Sequence, residues 1–398
     1  FKNEIKKIAK ELKIFPSFYK KRLLDWINSV SIDWPISRRR YYATEIPIWY
    51  CKNCSYIYVA NDGKYHQPWK EKLNINCPKC GKNEWIGEER TFDTWFDSSV
   101  SVLFISRNLP ENKKLLFLRP QGYEIIRTWL YYTLLRVFQL KGKPAFNFTV
   151  IHGMGLDERG QKMSKSVGNV IYPEEILDEI GAEPARLWIV MEYSIGSDYK
   201  ISKEKILGFQ KFLTKLLNIA NFIKKFEYID KVDHLENSDK WIISEVLNLK
   251  KNVINDYKKL KINIALQQIY SFVWDVFSSH YIELVKKRTF NNNKSSVFAL
   301  YFCMREILKL LYPIIPATSS YLYKILFNEE INSFGSVERK LIDKNLLEIG
   351  KELIEFNSNV WKIKKEKNLS LKDPIKIEIP EKLKIFEKDL INMHNIIN

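Results

Sequence analysis

Leu115-Leu-Phe-Leu118, then Arg119-Pro-Gln-Gly-Tyr-Glu-Ile-Ile-Arg-Thr-Trp129, then Phe148-Thr149-Val150-Ile151 with His152-Gly153-Met154-Gly155 behind it, form the stretch that decides the fold. Two short apolar runs bracket residues 124–140, whose apolar spacing predicts a helix ended by Gly142. Strand, crossover helix and strand within about 33 residues is the size of a parallel βαβ unit. In open parallel sheets, ligands sit beyond the carboxyl ends of strands. Gln121-Gly122-Tyr123-Glu124 and His152-Gly153-Met154-Gly155 both fall at such ends, which makes both candidate ligand turns.

Asp157-Glu-Arg-Gly-Gln-Lys-Met-Ser-Lys-Ser-Val-Gly-Asn-Val170 follows at once. Lys162 and Lys165 lie three apart, with Ser164 and Ser166 beside them and Gly160 and Gly168 on either side. This reads as a mobile cationic loop that folds over a polyphosphate. Lysine and arginine fill 64 of 398 positions, so a Lys-x-x-Lys pair alone would be a solvated surface loop. The whole pentapeptide after a strand-like stretch points to phosphate instead.

A chain of 398 residues is long enough for two or three domains with ample core. Its 45% hydrophobic and 14% aromatic content argues against disorder. No apolar run approaches the ~18–20 residues of a membrane helix, and no secretory signal opens the sequence. The first residue is Phe1, so a piece of a longer polypeptide is expected. The net charge of +17 points to a polyanionic partner such as nucleic acid, since neutralising phosphates releases counterions; a lysine-rich genome is the competing source of the same charge.

Four of the five cysteines stand close together, the pattern of one metal site in a cytoplasmic protein rather than of a disulfide framework. Cys51-Lys-Asn-Cys54 and Cys77-Pro-Lys-Cys80 are two C-x2-C knuckles separated by 22 residues. Four thiolates suit tetrahedral Zn²⁺ and leave no open coordination position, so the metal is expected to be structural. Lys52, Lys79 and Lys82 beside them either touch nucleic acid or are simply solvated. Cys303, alone in an apolar helical pattern, reads as inert core.

The first 30 residues, with Ile5, Ile8, Ala9, Leu12, Tyr19, Leu23, Leu24 and Trp26, look helical and amphipathic. Residues 33–50 turn irregular and strand-like around Pro35 and Pro47. Beyond residue 204 the pattern is almost entirely helical. Its stripes include Phe209, Phe212, Leu213, Leu216 and Ala220; Ile242, Val246, Leu249 and Val253; and Leu266, Ile269, Tyr270, Val273 and Trp274. A further helix is expected from Ser296 to Tyr312, ended by Pro313. Such stripes make the core of a bundle. A basic helix from 346 and the stretch Pro374 to Pro380 close the chain.

Lys162-Met-Ser-Lys-Ser166 resembles the signature loop of the class I aminoacyl-tRNA synthetases. Asp33-Trp-Pro-Ile-Ser-Arg-Arg-Arg40 and Asp93-Thr-Trp-Phe-Asp-Ser98 resemble segments of the synthetases for valine, isoleucine and leucine. Arg119 to Trp129, and the paired-knuckle insertion that follows Ile-Pro-Ile-Trp-Tyr-Cys51, are similar to the archaeal-type valyl-tRNA synthetases. Trp361-Lys-Ile-Lys-Lys-Glu-Lys-Asn-Leu-Ser-Leu371 resembles the family's terminal helix. The matches run along the chain in the family's order.

The resemblance implies an α/β fold, the second half of a Rossmann-type parallel sheet with a zinc-knuckle insertion, followed by an all-α anticodon-binding helical bundle. The implied divisions are 1–45 as linker and entry, 46–90 as knuckle insertion and 91–204 as catalytic second half with the signature loop. Residues 205–345 would be the anticodon bundle, and 346–398 the basic helix and tail. The implied function is part of a valine-tRNA ligase, which uses ATP with Mg²⁺ to make valyl-adenylate and charges tRNA(Val). Lys165 with Lys162 would stabilise charge on the departing pyrophosphate, while Ser164 and Ser166 shape the loop. Such catalysis is positioning and charge stabilisation.

By the same resemblance His152, Gly153 and Met154 would meet the adenine, and Gln121, Gly122 and Glu124 the ribose and adenylate. Trp95 and Trp129 would wall the valine side chain. Glu124 stands where the family commonly has aspartate, and Glu45 where proline is frequent. The family's first signature, His-Ile-Gly-His, is not in this sequence, so a separate or preceding N-terminal half and an editing domain are expected to be missing, and the piece alone to be inactive. An isoleucyl enzyme and a non-catalytic tRNA-binding module are the competing readings. Trp361, Lys362, Lys364 and Lys365 are candidate tRNA contacts, with a solvated basic helix as the plainer alternative.

Overall fold

Lys13–Phe15, Phe148–His152 and Leu118–Gly122 form a parallel sheet in that spatial order. The structure, a computed structural model, describes residues 1–110 and 118–397, so the strand residues expected at 115–117 lie outside the described ones. The central strand buries Thr149 and Ile151 on one side of its pleat. The Thr149 hydroxyl donates to the Arg119 carbonyl at 2.6 Å, so the buried polar group is satisfied across the ladder. Pro120 sits in an outer strand, where a missing N–H is tolerated.

The first thirty residues are not helical throughout: helices Lys2–Glu11 and Tyr19–Ser29 are separated by the strand Lys13–Phe15. Pro16 disfavours helical backbone at Phe15, and Ile14 gains a buried place beside the central strand.

The crossover runs as a tight 3₁₀ turn at Tyr123–Ile125, a wide π-type turn at Ile126–Leu130 and an α-helix at Tyr131–Lys141. Gly142 ends it with φ of 63°, the left-handed cap that glycine adopts without strain. Ile5, Leu23, Ile27, Leu130, Leu134, Phe146 and Ile151 make the core of this part of the chain. The knuckle insertion is a small antiparallel sheet, with Ile48–Cys51 between Ile57–Val59 and Trp85–Gly87.

The chain divides into two compact units, Phe1–Met154 with Ile195–Ser197, and Gly155–Ser194 with Asp198–Asn398. The second carries a short parallel pair, Gly155–Leu156 with Tyr199–Lys200, and then helices. The expected stripes lie on Gln210–Ile223, Asn237–Lys258 and Ile262–Ser271, the last continuing through the π-type stretch Phe272–Ile282 into Glu283–Phe290. Lys294–Leu311, Pro316–Phe327 and Lys344–Glu366 complete the bundle. Leu216, Val246, Val253, Leu266, Val273, Leu300 and Ile307 are fully buried between them.

Cys303 is also fully buried, and burial pushes its thiol well above the ordinary range, consistent with inert core. Gly350 lets the helix Lys344–Glu366 approach closely, because a Cβ there would overlap the Trp241 indole. A buried charge network ties the last helix, Glu387–His394, to the bundle. Arg288 reaches Asp239 at 2.6 Å and Asp389 at 3.0 Å, and Tyr281 donates to Asp239 at 2.6 Å.

Lys364 is buried too, against the expectation that it faces solvent or RNA. Its ammonium donates to the carbonyls of Leu371, Asp373 and His394 at 2.7–2.8 Å. Three donors meet three acceptors, which is what makes a buried lysine tolerable.

Candidate active site and metal centre

The last rung of the parallel ladder pairs Gly122 with His152. The two turns expected to bind ligand therefore leave adjacent strands side by side, at their carboxyl ends. Gln121 is 3% exposed, and neither atom of its amide has a partner among the described residues. Glu124 folds its carboxylate back over Gly122, where any Cβ would displace it. The exposed His152 places Nδ1 2.8 Å from the carbonyl of Gly153.

Asp33-to-Arg40 and Asp93-to-Ser98 meet in space. Ser37 pairs with Phe92 across an antiparallel rung, and the Asp93 carboxylate takes the Arg38 guanidinium and, at 3.4 Å, the Trp34 indole N–H. The other Asp93 oxygen accepts from the Trp95 amide at 2.9 Å and so caps the helix Thr94–Ser98. Trp95 on that helix is half-buried. Trp129 is 4% exposed, lies parallel to Phe146, and has the Arg119 guanidinium 4.0 Å from its centroid. Its indole N–H donates to the Ser98 carbonyl at 3.1 Å.

The signature stretch folds as a hairpin followed by a second turn. Leu156 bridges Lys162, and Asp157 N–H donates to the Gln161 carbonyl at 2.9 Å. Gly160 makes the turn with φ of 81°. Beyond it, the Gly168 N–H donates to Ser164 O at 3.1 Å, closing a second turn around Lys165 and Ser166. The Ser164 and Ser166 hydroxyls are 3.2 Å apart. Lys162 and Lys165 are exposed, and neither has a carboxylate within ion-pair distance among the described residues. Both lysines therefore stand on one closed turn with their charge open to solvent.

Both knuckles fold alike. Ser55 N–H donates to Cys51 O at 2.9 Å, and Gly81 N–H to Cys77 O at 2.8 Å, with positive φ at both donors. The four Sγ atoms of Cys51, Cys54, Cys77 and Cys80 all lie within 4.8 Å of one another, the closest pairs at 3.5 and 3.6 Å. A tetrahedral ion with bonds to sulfur of about 2.3 Å spaces its ligands about 3.8 Å apart. The four thiols therefore fit one such ion, and are too far apart for disulfides. Desolvation opposes ionisation of Cys51, but hydrogen bonds from the Asn53 and Cys54 amides and from the Cys80 and Cys54 thiols together bring its pKa down to about 7.

Comparison with known proteins then decides the family. The model of the class I tRNA synthetases (I, L, M and V) matches residues 1–202, and that of the anticodon-binding domain of tRNA ligase matches residues 239–379. The chain belongs to the class I tRNA synthetases.

The valine–tRNA ligase of Nanoarchaeum equitans (strain Kin4-M) is 50% identical over 409 residues, spanning 100% of this synthetase chain and 53% of that protein. The valine–tRNA ligase of Aeropyrum pernix is 35% identical, over 99% of this chain and 51% of its own length. The chain thus spans about half the length of these relatives. Among solved structures, agnB2 LeuRS of Agrobacterium radiobacter K84, in ternary complex with tRNA and LeuAMS, superposes with a TM-score of 0.64 at 19% identity, over 78% of this chain and 43% of that one. Mycobacterium tuberculosis methionyl-tRNA synthetase with methionyl-adenylate gives 0.55 at 16%, over 78% and 58%. These two likenesses concern the fold.

Sequence reading of this synthetase chain missed Asp93 as the meeting point of two motifs, and missed the Asn169 side chain, which bonds the Ser164 amide at 2.9 Å and Asp157 Oδ2 at 2.8 Å. The signal for Asp93 was its place directly before a helical Thr-Trp-Phe run. Asn169 carried no signal beyond a turn residue after glycine.

Proposed function

We propose that this chain is the portion of a valine-tRNA ligase that carries the second signature loop and the anticodon bundle. The observation that carries the reading is 50% identity along the whole chain to a valine–tRNA ligase. The reaction is attack of the valine carboxylate on the α-phosphate of Mg²⁺-bound ATP, releasing pyrophosphate, then transfer of the valyl group to the 3′ end of tRNA(Val).

Lys165 and Lys162 meet the negative charge that grows on the departing pyrophosphate, a task for exposed cations with no carboxylate beside them. Ser164 and Ser166 shape the turn. Gly153, Met154 and His152 meet the adenine; Gln121, Gly122 and Glu124 meet the ribose and adenylate. Gln121's unpaired amide supports that role, because a buried donor and acceptor without partners favour a polar ligand. Trp95 and Trp129 border the amino-acid side chain. Cys51, Cys54, Cys77 and Cys80 hold a structural Zn²⁺, which ties the two knuckles and takes no part in the chemistry. Residues 46–90 serve as the knuckle insertion, 91–204 as the catalytic second half of a Rossmann-type fold, 205–345 as the anticodon bundle and 346–398 as its tail.

Activity needs a further half of the enzyme. Arg119 Nε, Arg136 Nε, Thr128 Oγ1 and Thr133 Oγ1 join the Gln121 amide as buried polar atoms without partners among the described residues. Burial lowers the pKa of both arginines, and neither has a carboxylate within ion-pair distance among the described residues. Such a concentration on residues 119–136 favours a partner segment that brings acceptors and acidic side chains.

The test is amino acid–dependent ATP–pyrophosphate exchange on the full-length protein. Valine should drive it. Exchange driven by isoleucine rejects the valine assignment, and no exchange with either favours the non-catalytic tRNA-binding module.

A further inference from the structure

We propose that Asn169 is the positioning residue of the signature loop, a side-chain clamp that fixes the backbone from which Lys162 and Lys165 project. This rests on the reading of those lysines as phosphate-stabilising groups.

The geometry is specific. Asn169 Oδ1 accepts from the Ser164 amide at 2.9 Å. Its Nδ2 donates to the Lys162 carbonyl at 3.3 Å and to Asp157 Oδ2 at 2.8 Å. Asp157 Oδ1 in turn accepts from the Gln161 amide at 2.7 Å. One amide therefore holds the backbone on both sides of Met163, and one carboxylate ties that amide to the base of the hairpin. Lysine side chains are long and flexible, so fixing their backbone is how a protein without ion pairs at the ammonium groups can aim them.

Among the described residues Asp157 is the one acid hydrogen-bonded into the turn, and its charge is directed at amides. The Asn169 side chain, then the Gln161 and Arg159 amides, hold its carboxyl below the usual carboxylate range. It anchors the loop without neutralising either lysine. The position requires asparagine chemistry, since one side chain must accept at one atom and donate twice at the other. Aspartate keeps the shape but loses both donors and sets a second carboxylate against Asp157.

Two measurements test the clamp. On the 398-residue chain, trypsin cleavage after Lys162 and Lys165 should rise about tenfold in both Asn169→Ala and Asn169→Asp, with cleavage elsewhere and the melting temperature unchanged. An unchanged rate at those two sites overturns the proposal, and a general rise with a lowered melting temperature does the same by making Asn169 merely structural. In the full-length enzyme, Asn169→Ala should lower kcat for ATP–pyrophosphate exchange about tenfold or more while KM for valine stays put. A changed KM with intact kcat overturns it. Lys165→Ala serves as the control: if exchange survives within about threefold, the phosphate reading fails, whatever the trypsin result says of the clamp.

Discussion

Gly122 and His152 are register partners on adjacent parallel strands. Two turns that lie 30 positions apart in the sequence are thereby presented together, and the backbone ladder rather than any side chain does the bringing. Mutations that disturb the ladder's core should therefore act on both turns at once.

Zinc should be measurable directly. Elemental analysis of the purified chain should give about one zinc per molecule, and Cys80→Ser should bring that value close to zero. Helical circular dichroism from the bundle should persist in the variant. Full zinc content after Cys80→Ser would mean the ion sits elsewhere.

Arg288→Met should destabilise the second unit by about 3–5 kcal/mol in urea unfolding. Asp239 is fully buried and Asp389 nearly so, and each would lose its cation. A loss under about 1 kcal/mol, the scale of an exposed pair, would show that water reaches the site.

His394 predicts a pH dependence. Burial, then the Lys364 ammonium and His280, hold its pKa down at about 4, against about 6.5 in an unfolded chain. Below pH ~6.5 the unfolded state takes up a proton that the folded state refuses. Stability is thus complete above that pH and falls by about 3 kcal/mol as pH drops toward 4. Urea midpoints at pH 7.5 and 5 should differ in that sense, and His394→Gln should flatten the slope. A midpoint that rises on acidification would reverse the assignment.

Gly350→Ala separates packing from propensity. In an exposed helix the change should stabilise by about 1 kcal/mol. Here the added carbon lands on the fully buried Trp241 ring, and overpacking costs about 1–3 kcal/mol. Net loss of melting temperature is expected; a gain would show that the two helices can move apart.

Much of this was legible in the chain. Cys51, Cys54, Cys77 and Cys80 declared their grouping by spacing, and the apolar stripes at Ile242, Val246 and Val253 gave the bundle its buried faces. Lys13–Phe15 was not legible, because three residues between helices show no periodicity and their partner, Phe148–Val150, lies over a hundred positions away. The π-type stretches Ile126–Leu130 and Phe272–Ile282 escaped because each runs directly into an α-helix, and what sets it apart is the backbone hydrogen-bond pattern. Lys364 looked like one more surface lysine in a basic helix. Only the carbonyls that converge on it distinguish it from Lys362 and Lys365.

That convergence bears on how the chain's end can change over evolutionary time. Lys364 grips main-chain oxygens alone, and every amino acid supplies one. Substitutions at the exposed Leu371 can accumulate without loosening this anchor, whereas an insertion or deletion that shifts those oxygens would release it.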